Sequence, residues 1–410
     1  MSKKKKVAII SLLIIGLVTI AILAITSVAF TSYFHPRSNQ PPMPDMAEKS
    51  DLTANDNTSS QTTASLSSSS TIPTTIDVVS TSSAFPFVQR WAAEYENQQL
   101  ASSGNVDVEY LTDIEIKEAK AEDSDLAIVG IPDENGAVVY IPLSPQAVSI
   151  VYNIPSFPDI PSGLRLNSTT LFLMLNGSIT QWNDAAIKDL NPSLNLPDEK
   201  IIVVHSSDDI NNNNNSSSNS SSSSLLLLDR YLGFQDIINW PSDSVAASGP
   251  AELAETVRKI PYSVGYVDFS YAVQTRMTYA AIGNADGDYI VPSTQSIGQA
   301  VNLALQFHNS STSGSLSSQQ QQLQPPTLNA SRFVNGSYPI IGLYYGSLLA
   351  NNNDEEDESN ASIMDFVEWL ISEEGGQQTL LEVQYPPIYS SNNIELATYA
   401  KAIMDTIIPN

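Results

Sequence analysis

From Ile76 onward, short apolar runs alternate with amphipathic stretches, and this alternation limits the possible folds more than any other feature of the chain. Leu126 to Val129 is a continuous apolar run, which is typical of a buried strand. Ala251 to Ile260 instead carries its apolar residues at helical spacing, which is typical of an amphipathic helix. Strands and helices that alternate over this length predict an α/β fold with mixed sheets.

A long polar connection separates the strand predicted at Ile201 to Val204 from the helix predicted at Leu225 to Leu232. Ligands of α/β sheets bind beyond the carboxyl ends of strands, where N–H groups of the next helix face the crevice. The candidate ligand contacts in this connection are His205, Ser206, Asp208, Ser222, Ser223 and Ser224. The connection therefore predicts either a mobile lid over a ligand site or a site that an Asn/Ser insertion has replaced.

The composition argues against several classes of function. The chain has 410 residues with 44 acidic and 18 basic side chains and a net charge of −26. Such a field repels nucleic-acid phosphates, and no basic stripe offsets it. The chain has no cysteine, only three histidines, and no P-loop, nucleophile elbow or zinc-protease motif. We therefore expect no nucleic-acid partner, no cofactor and no metal site, and we rank an enzyme below a binding protein.

The first 75 residues predict a membrane anchor followed by a stalk. Lys3 to Lys6 precede an uncharged apolar run from Val7 to Phe30, which is long enough to cross a hydrocarbon core of roughly 30 Å. The positive-inside rule then places residues 1–6 in the cytoplasm and everything after Phe30 outside the cell membrane, with a cleaved signal peptide as the alternative. Residues 31–75 are rich in Ser and Thr, which predicts a disordered stalk. The N-x-S/T sequons of the chain fit a glycosylated cell-surface protein, or arise by chance from its Asn and Ser content.

Three phrases of the chain occur in the order found in one known family. They are Val151 to Pro155 (VYNIP), Asn176 to Asp184 (NGSITQWND), and Val264 to Val267 (VGYV) followed by Tyr271 and Ala272. The second resembles that family's phrase of glycine-x-isoleucine-x-x-tryptophan-asparagine-aspartate. Together they resemble the phosphate-binding protein of bacterial and archaeal ABC importers, a type II periplasmic-binding-protein fold. The resemblance extends from about Ile76 to the carboxyl terminus.

The resemblance implies two lobes around a cleft. Residues 76–141 and 333–410 would form the first lobe and residues 142–332 the second, with chain crossings near Ile141 to Pro145 and Phe333 to Ile340. The implied ligand is phosphate or another small oxyanion, which is held without its water by helix-start N–H groups and hydroxyls. The implied partner is the permease of an ABC importer, so the chain is expected to be a solute-binding protein that faces away from the cytoplasm.

Position by position, the resemblance also implies which residues touch the ligand. These are Ala84, Phe85, Thr112, Ser206, Asp208, Ser222, Ser223 and Ser224. Ala84 stands where the family has threonine, Gly130 where it has a carboxylate, and Ser206 where it has arginine. His205 is the candidate for a substitute cation. Because each lost charged hydrogen bond removes about 1.5 to 3 kcal/mol, the implied affinity is lower than that of a complete site.

The same departures from the family pattern also fit a second interpretation, in which the protein is a relative whose cleft no longer binds a ligand. Its glycosylated surface would then serve adhesion, envelope structure or binding to another protein. Deletion of Asn211 to Ser221 separates the readings, because a specialised lid would be needed for binding whereas a decorative insertion would not.

Overall fold

A computed structural model of the chain describes residues 74–102, 106–111, 124–132, 138–155, 163–207, 222–233, 238–311, 335–349, 358–389 and 394–407. These residues fall within one unit, which extends from Ser69 to Asn410. The predicted basic cap, apolar run and stalk lie outside the described residues, except that positions 74 and 75 already belong to the first strand. Across the described ranges, no helix is both long and apolar enough to span a membrane.

Strands and helices alternate along the described chain. The strands are β1 (Thr74–Ser80), β2 (Val106–Leu111), β3 (Leu126–Val129), β4 (Val138–Asn153), β5 (Arg165–Leu166), β6 (Ile202–Ser206), β7 (Val245–Ala247), β8 (Ser263–Asp268), β9 (Ala281–Gly283), β10 (Tyr289–Ile290) and β11 (Ile341–Leu349). The helices are α1 (Phe85–Ala101), α2 (Ser168–Leu175), α3 (Ala185–Leu190), α4 (Ser223–Leu232), α5 (Gly249–Lys259), α6 (Phe269–Gln274), α7 (Thr294–Ser311), α8 (Glu358–Ile371), α9 (Gly376–Glu382) and α10 (Ile394–Ile407).

Most of the strands form one mixed sheet in the order β2-β1-β3-β11-β4-β8-β6-β7. β1 pairs in parallel with β2 and β3, and β6 pairs in parallel with β7 and β8. β11 is antiparallel to both β3 and β4, and β4 is antiparallel to β8. A small second sheet contains β5, β9 and β10. The α/β fold with mixed sheets, predicted from the alternation, is confirmed.

The long strand β4 joins the two parallel parts of the large sheet. Its first part, up to Ala147, pairs with β11, and its second part, from Val148, pairs with β8. Two prolines, Pro142 and Pro145, lie within it, although proline cannot donate a ladder hydrogen bond. The register with β11 shifts beside Tyr344, where one extra residue of β4 forms a bulge. The predicted division into lobes at residues 141/142 and 332/333 stays a prediction.

The spacing of Val88, Trp91, Ala92 and Tyr95 at i, i+3, i+4 and i+7 predicts one apolar face on helix α1, and the structure buries that face. Val88, Trp91 and Tyr95 are all buried, together with Phe87 and Ala92. The indole N–H of Trp91 donates to the carbonyl of Gly376 over 2.6 Å, which ties α1 to the start of α9. The buried indole is thereby both packed and hydrogen-bonded, so α1 is fixed against the sheet at its amino-terminal half.

The phrase Asn176 to Asp184, which carries the family resemblance, has a structural role. Gly177 adopts a left-handed conformation at φ 76°, as glycine permits after a helix. Trp182 is fully buried and its indole N–H donates to the carbonyl of Tyr262 over 2.9 Å. The Asp184 side chain caps α3 by accepting the Ala186 N–H at 2.8 Å, as the sequence predicts. The phrase therefore identifies the fold rather than a ligand contact.

Candidate functional site

The carboxyl ends of strands from both parts of the large sheet meet at one place. β3 ends opposite Tyr345 of β11, and β8 ends with Asp268 opposite Val148 of β4. Between these two strand ends, residues 144–147 of β4 and 341–344 of β11 pair with each other but not with β8 or β3. Their facing residues form what we call the floor, namely Ser144, Gln146, Gly342 and Tyr344. Strand ends that converge on a polar floor are where α/β sheets place ligands.

The start of α1 lies against one side of the floor. Phe85 is its first residue and has an N–H with no acceptor within the helix, whereas Pro86 has no N–H and the Phe87 N–H donates to the Ala84 carbonyl over 3.1 Å. The ring of Phe87 packs on Tyr344 at a centroid distance of 5.1 Å and on Tyr385 at 4.8 Å. The Tyr385 hydroxyl donates to the carbonyl of Ser83 over 2.7 Å. The predicted contacts Ala84 and Phe85 are therefore held beside the floor by aromatic packing.

The start of α4 lies against another side of the floor, at the end of β3. A Cβ placed on Gly130 would lie 2.7 Å from the Cβ of Ser223, so only glycine fits this close approach. The Ser223 hydroxyl accepts a hydrogen bond from Nε2 of Gln146 at 3.1 Å. Ser222 caps the helix by accepting the Leu225 N–H at 3.3 Å. The predicted contacts Ser222, Ser223 and Ser224 are thus half-buried at a helix start beside the floor.

A buried carboxylate, Asp268, lies at the end of β8 beside the floor. The Tyr344 hydroxyl donates to Oδ2 of Asp268 over 2.8 Å, and Oδ1 accepts the Ser270 N–H at 2.9 Å. Complete burial raises the pKa of Asp268 to about 6, although these hydrogen bonds oppose the rise. The other face of the Tyr344 hydroxyl accepts Nε2 of Gln146 at 3.1 Å. One chain of hydrogen bonds therefore joins Asp268 to Ser223.

His205 and Ser206 are placed at the end of β6 and are both buried. The His205 ring stacks on Trp240 at 4.5 Å, and its nitrogens contact the Ser206 carbonyl at 2.8 Å and the Ser244 hydroxyl at 3.2 Å. Burial lowers the pKa of His205 because it disfavours the charged imidazolium. These surroundings favour a neutral packed imidazole, so they give no support to His205 as a substitute cation.

Two predicted contacts, Thr112 and Asp208, lie outside the described residues, as does the insertion up to residue 221. Sequence reasoning missed Gln146, Tyr344 and Asp268. The available signal was a polar side chain next to runs that are otherwise apolar, since buried amides and carboxylates occur where a partner requires them. Within the described ranges, no group of three or more His, Asp or Glu side chains could hold a metal ion.

Known proteins match this chain over most of its length. The phosphate-binding protein PstS of Methanocaldococcus jannaschii is 28% identical over 327 residues, which cover 73% of this chain and 80% of that protein. PstS of Xylella fastidiosa is 28% identical over 314 residues, which cover 74% and 79%. A solved high-affinity periplasmic phosphate-binding protein, PfluDING with bound phosphate, has a TM-score of 0.51 at 12% identity and covers 79% of this chain and 93% of that chain. This last likeness shows the fold alone.

A family model described as a PBP superfamily domain matches residues 58–374. That range contains all three phrases on which the resemblance rests, and it includes both sides of the floor. The resemblance to phosphate-binding proteins is confirmed by the PstS relatives, and the fold is that of a two-lobed periplasmic binding protein. The chain belongs to the PBP superfamily.

Proposed function

We propose that this protein is an extracytoplasmic solute-binding protein that holds phosphate or a related small oxyanion between the starts of α1 and α4 and passes it to an ABC importer. The observation that carries the proposal is the convergence of two helix starts on one buried polar floor. The names of the two PstS relatives support the same class of ligand.

Two helix starts that face one crevice favour an anion. The first N–H groups of a helix have no acceptor within it and carry a partial positive charge. Phe85, Ser223 and Ser224 occupy such positions. The hydroxyls of the two serines add further donors next to these N–H groups. Several preorganised donors are what an anion needs to replace its lost water.

The proposed site is poorer in charge than a complete family site. Gly130 and Ser206 stand where the resemblance implies a carboxylate and an arginine. The net charge of −26 also gives a phosphate no long-range attraction. Binding therefore depends on short contacts with neutral hydroxyl and N–H groups, and the affinity should be sensitive to the loss of any one of them.

The proposal includes the location of the protein. Val7 to Phe30 would anchor the chain in the cell membrane as a single span, with the binding unit outside the cytoplasm. Glycans on the sequons of this unit would then face outward. Protease treatment of intact cells checks the orientation, because an external unit is digested and a cytoplasmic one is protected.

Isothermal titration of the full chain with phosphate tests the ligand. We expect saturable heat with one site. Replacement of Ser223 by alanine removes one hydroxyl donor and should raise the Kd about tenfold, which corresponds to about 1.4 kcal/mol.

The matched control is Ser168→Ala, because Ser168 also occupies the first position of a helix but lies on α2, away from the floor. This control should leave the Kd unchanged. The absence of heat at millimolar phosphate would remove the ligand assignment while leaving the fold intact.

A further inference from the structure

Three side chains connect the candidate anion site to a buried carboxylate. Asp268 accepts from the Tyr344 hydroxyl at 2.8 Å. Nε2 of Gln146 lies 3.1 Å from the Tyr344 hydroxyl and 3.1 Å from the Ser223 hydroxyl. This series of hydrogen bonds crosses the floor from the end of β8, through β11 and β4, to the start of α4.

The direction of every hydrogen bond in this chain follows from the charge of Asp268. An ionised carboxylate can only accept, so the Tyr344 hydroxyl donates to it. The Tyr344 oxygen then accepts, which requires that the amide of Gln146 presents its nitrogen. That same nitrogen donates to the Ser223 oxygen. The hydrogen of the Ser223 hydroxyl is consequently free to point away from Gln146.

The remaining atom of the amide indicates where a ligand lies. Oε1 of Gln146 is buried and has no hydrogen-bond partner among the described residues. It lies 2.9 Å from the position of a Cβ on Gly130 and 3.3 Å from that of a Cβ on Gly342, beside Ser223. Because a buried acceptor is normally paired, an unpaired one next to a helix start points to a hydrogen-bond donor that arrives from outside the chain, such as the hydroxyl of a hydrogen phosphate ion.

We propose that Asp268, Tyr344 and Gln146 are positioning residues that turn the Ser223 hydroxyl into an obligatory hydrogen-bond donor toward a bound oxyanion. The proposal rests on the proposed function and adds the means by which a neutral hydroxyl is committed to an anion. A serine without this relay could donate or accept equally. A committed donor partly replaces the selectivity that a positively charged side chain would give.

The relay makes the contribution of Ser223 dependent on pH. Once Asp268 is protonated it can itself donate to Tyr344, and the direction of the chain is no longer fixed. The titratable side chains that face Asp268 are Tyr344 on β11 and Tyr385 after α9, while Tyr271 on α6 faces it with its backbone N–H. Burial raises the pKa of both hydroxyls well above the usual value, so they stay uncharged between pH 5 and 8. Asp268, whose pKa is about 6, is the group that titrates in this cluster.

The test compares phosphate affinity of the full chain and its Tyr344→Phe variant by isothermal titration at pH 7.5 and pH 5.0. The variant keeps the ring that packs on Phe87 and removes only the hydroxyl. The ionisation of phosphate itself cancels in the ratio of the two Kd values at each pH. We expect a ratio of about ten at pH 7.5 that falls toward one at pH 5.0.

Tyr338→Phe is the matched control, because its equally buried hydroxyl donates to the Val148 carbonyl at 2.7 Å and takes no part in the relay. Its ratio should be the same at both pH values. Asp268→Asn is a second test variant, and its Kd relative to that of the unmodified chain should also be about ten at pH 7.5 and fall toward one at pH 5.0.

The outcomes separate the relay from the proposed function. A ratio that is the same at both pH values for Tyr344→Phe and Asp268→Asn would mean that these residues act only in packing, and the relay would be rejected while phosphate binding stands. Absence of phosphate binding by the unmodified chain would reject both.

Discussion

The starts of α1 and α4 face the same floor but are held in different ways. α1 is preceded by Ala84, which provides no side-chain cap, and its start relies on the packing of Phe87 against Tyr344 and Tyr385. α4 is preceded by Ser222, which caps it, and Ser223 is hydrogen-bonded to Gln146. One helix start is therefore fixed by apolar contacts and the other by polar ones.

This difference indicates what each side can contribute to an anion. The α1 side offers the backbone N–H of Phe85 in a rigid frame of packed aromatic rings. The α4 side offers hydroxyls whose direction depends on a carboxylate with a pKa of about 6. We infer that the α1 start mainly fixes the position of a bound anion, whereas the α4 start mainly adjusts the affinity for that anion.

The largest effect should follow from breaking the apolar side. Phe87→Ala removes a fully buried ring that contacts Trp91 at 4.7 Å as well as Tyr344 and Tyr385. Such a cavity costs about 3 to 5 kcal/mol of unfolding free energy. Urea denaturation measures that loss, and titration should show that phosphate affinity falls with it because the start of α1 loses its support.

Phe366→Ala is the control for this variant, since Phe366 is equally buried and packs on Tyr95 at 4.8 Å, away from the floor. It should lose similar stability and keep its affinity. If both variants lost affinity to the same extent, the α1 side would be contributing general stability rather than local geometry.

A smaller effect is expected where the two sides meet. Gly130→Ala would place a Cβ 2.7 Å from the Cβ of Ser223 and 2.9 Å from Oε1 of Gln146. Displacement of the start of α4 would relieve this overlap, and it should lower the free energy of unfolding by about 1 to 3 kcal/mol. We expect the Kd for phosphate to rise at least about tenfold.

Gly283→Ala is the matched control, since its Cβ would only come within 3.4 Å of Asn167, which is ordinary contact. Titration and thermal melting of both variants measure the difference. An unchanged Kd for Gly130→Ala would show that the contact between the end of β3 and α4 is not needed for binding.

The sequence predicted those features of the fold that depend on local patterns. The apolar face of α1 at Val88, Trp91 and Tyr95 and the Asp184 cap of α3 are both confirmed, because each depends on residues within one or two turns. Local patterns indicate two strands, at Ala137 to Tyr140 and at Ala147 to Ile154, where the structure has the single strand β4 across Pro142 and Pro145. Pairing with the distant β11, including a bulge, holds those prolines within one strand.

The sequence predicts the candidate residues at the helix starts but not those of the floor. Phe85 and Ser222 to Ser224 lie at the starts of the helices that come next after β1 and β6, so local reasoning finds them. Gln146 and Tyr344 are 198 residues apart and meet only through the register of β4 with β11. His205 is a further example, because it follows an apolar run in the sequence but is buried and stacks on Trp240 in the structure. Polar convergence across a sheet cannot be deduced from one sequence, since it needs the order of the strands.

The smallest effect is expected from Ser222→Ala, which separates the roles of Ser222 and Ser223 at the start of α4. Ser222→Ala removes the cap that accepts the Leu225 N–H at 3.3 Å, which should cost about 1 kcal/mol of unfolding free energy. Asn167→Ala is the matched control, because Asn167 caps α2 by accepting the Thr170 N–H at 2.8 Å, away from the floor. Thermal melting should show similar losses, whereas only Ser222→Ala should weaken phosphate binding, and by less than Ser223→Ala. The reason is that Ser222 supports the helix start, whereas the Ser223 hydroxyl itself donates. If Ser222→Ala weakened binding more than Ser223→Ala, the order of the α4 start rather than the directed hydroxyl of Ser223 would set the affinity.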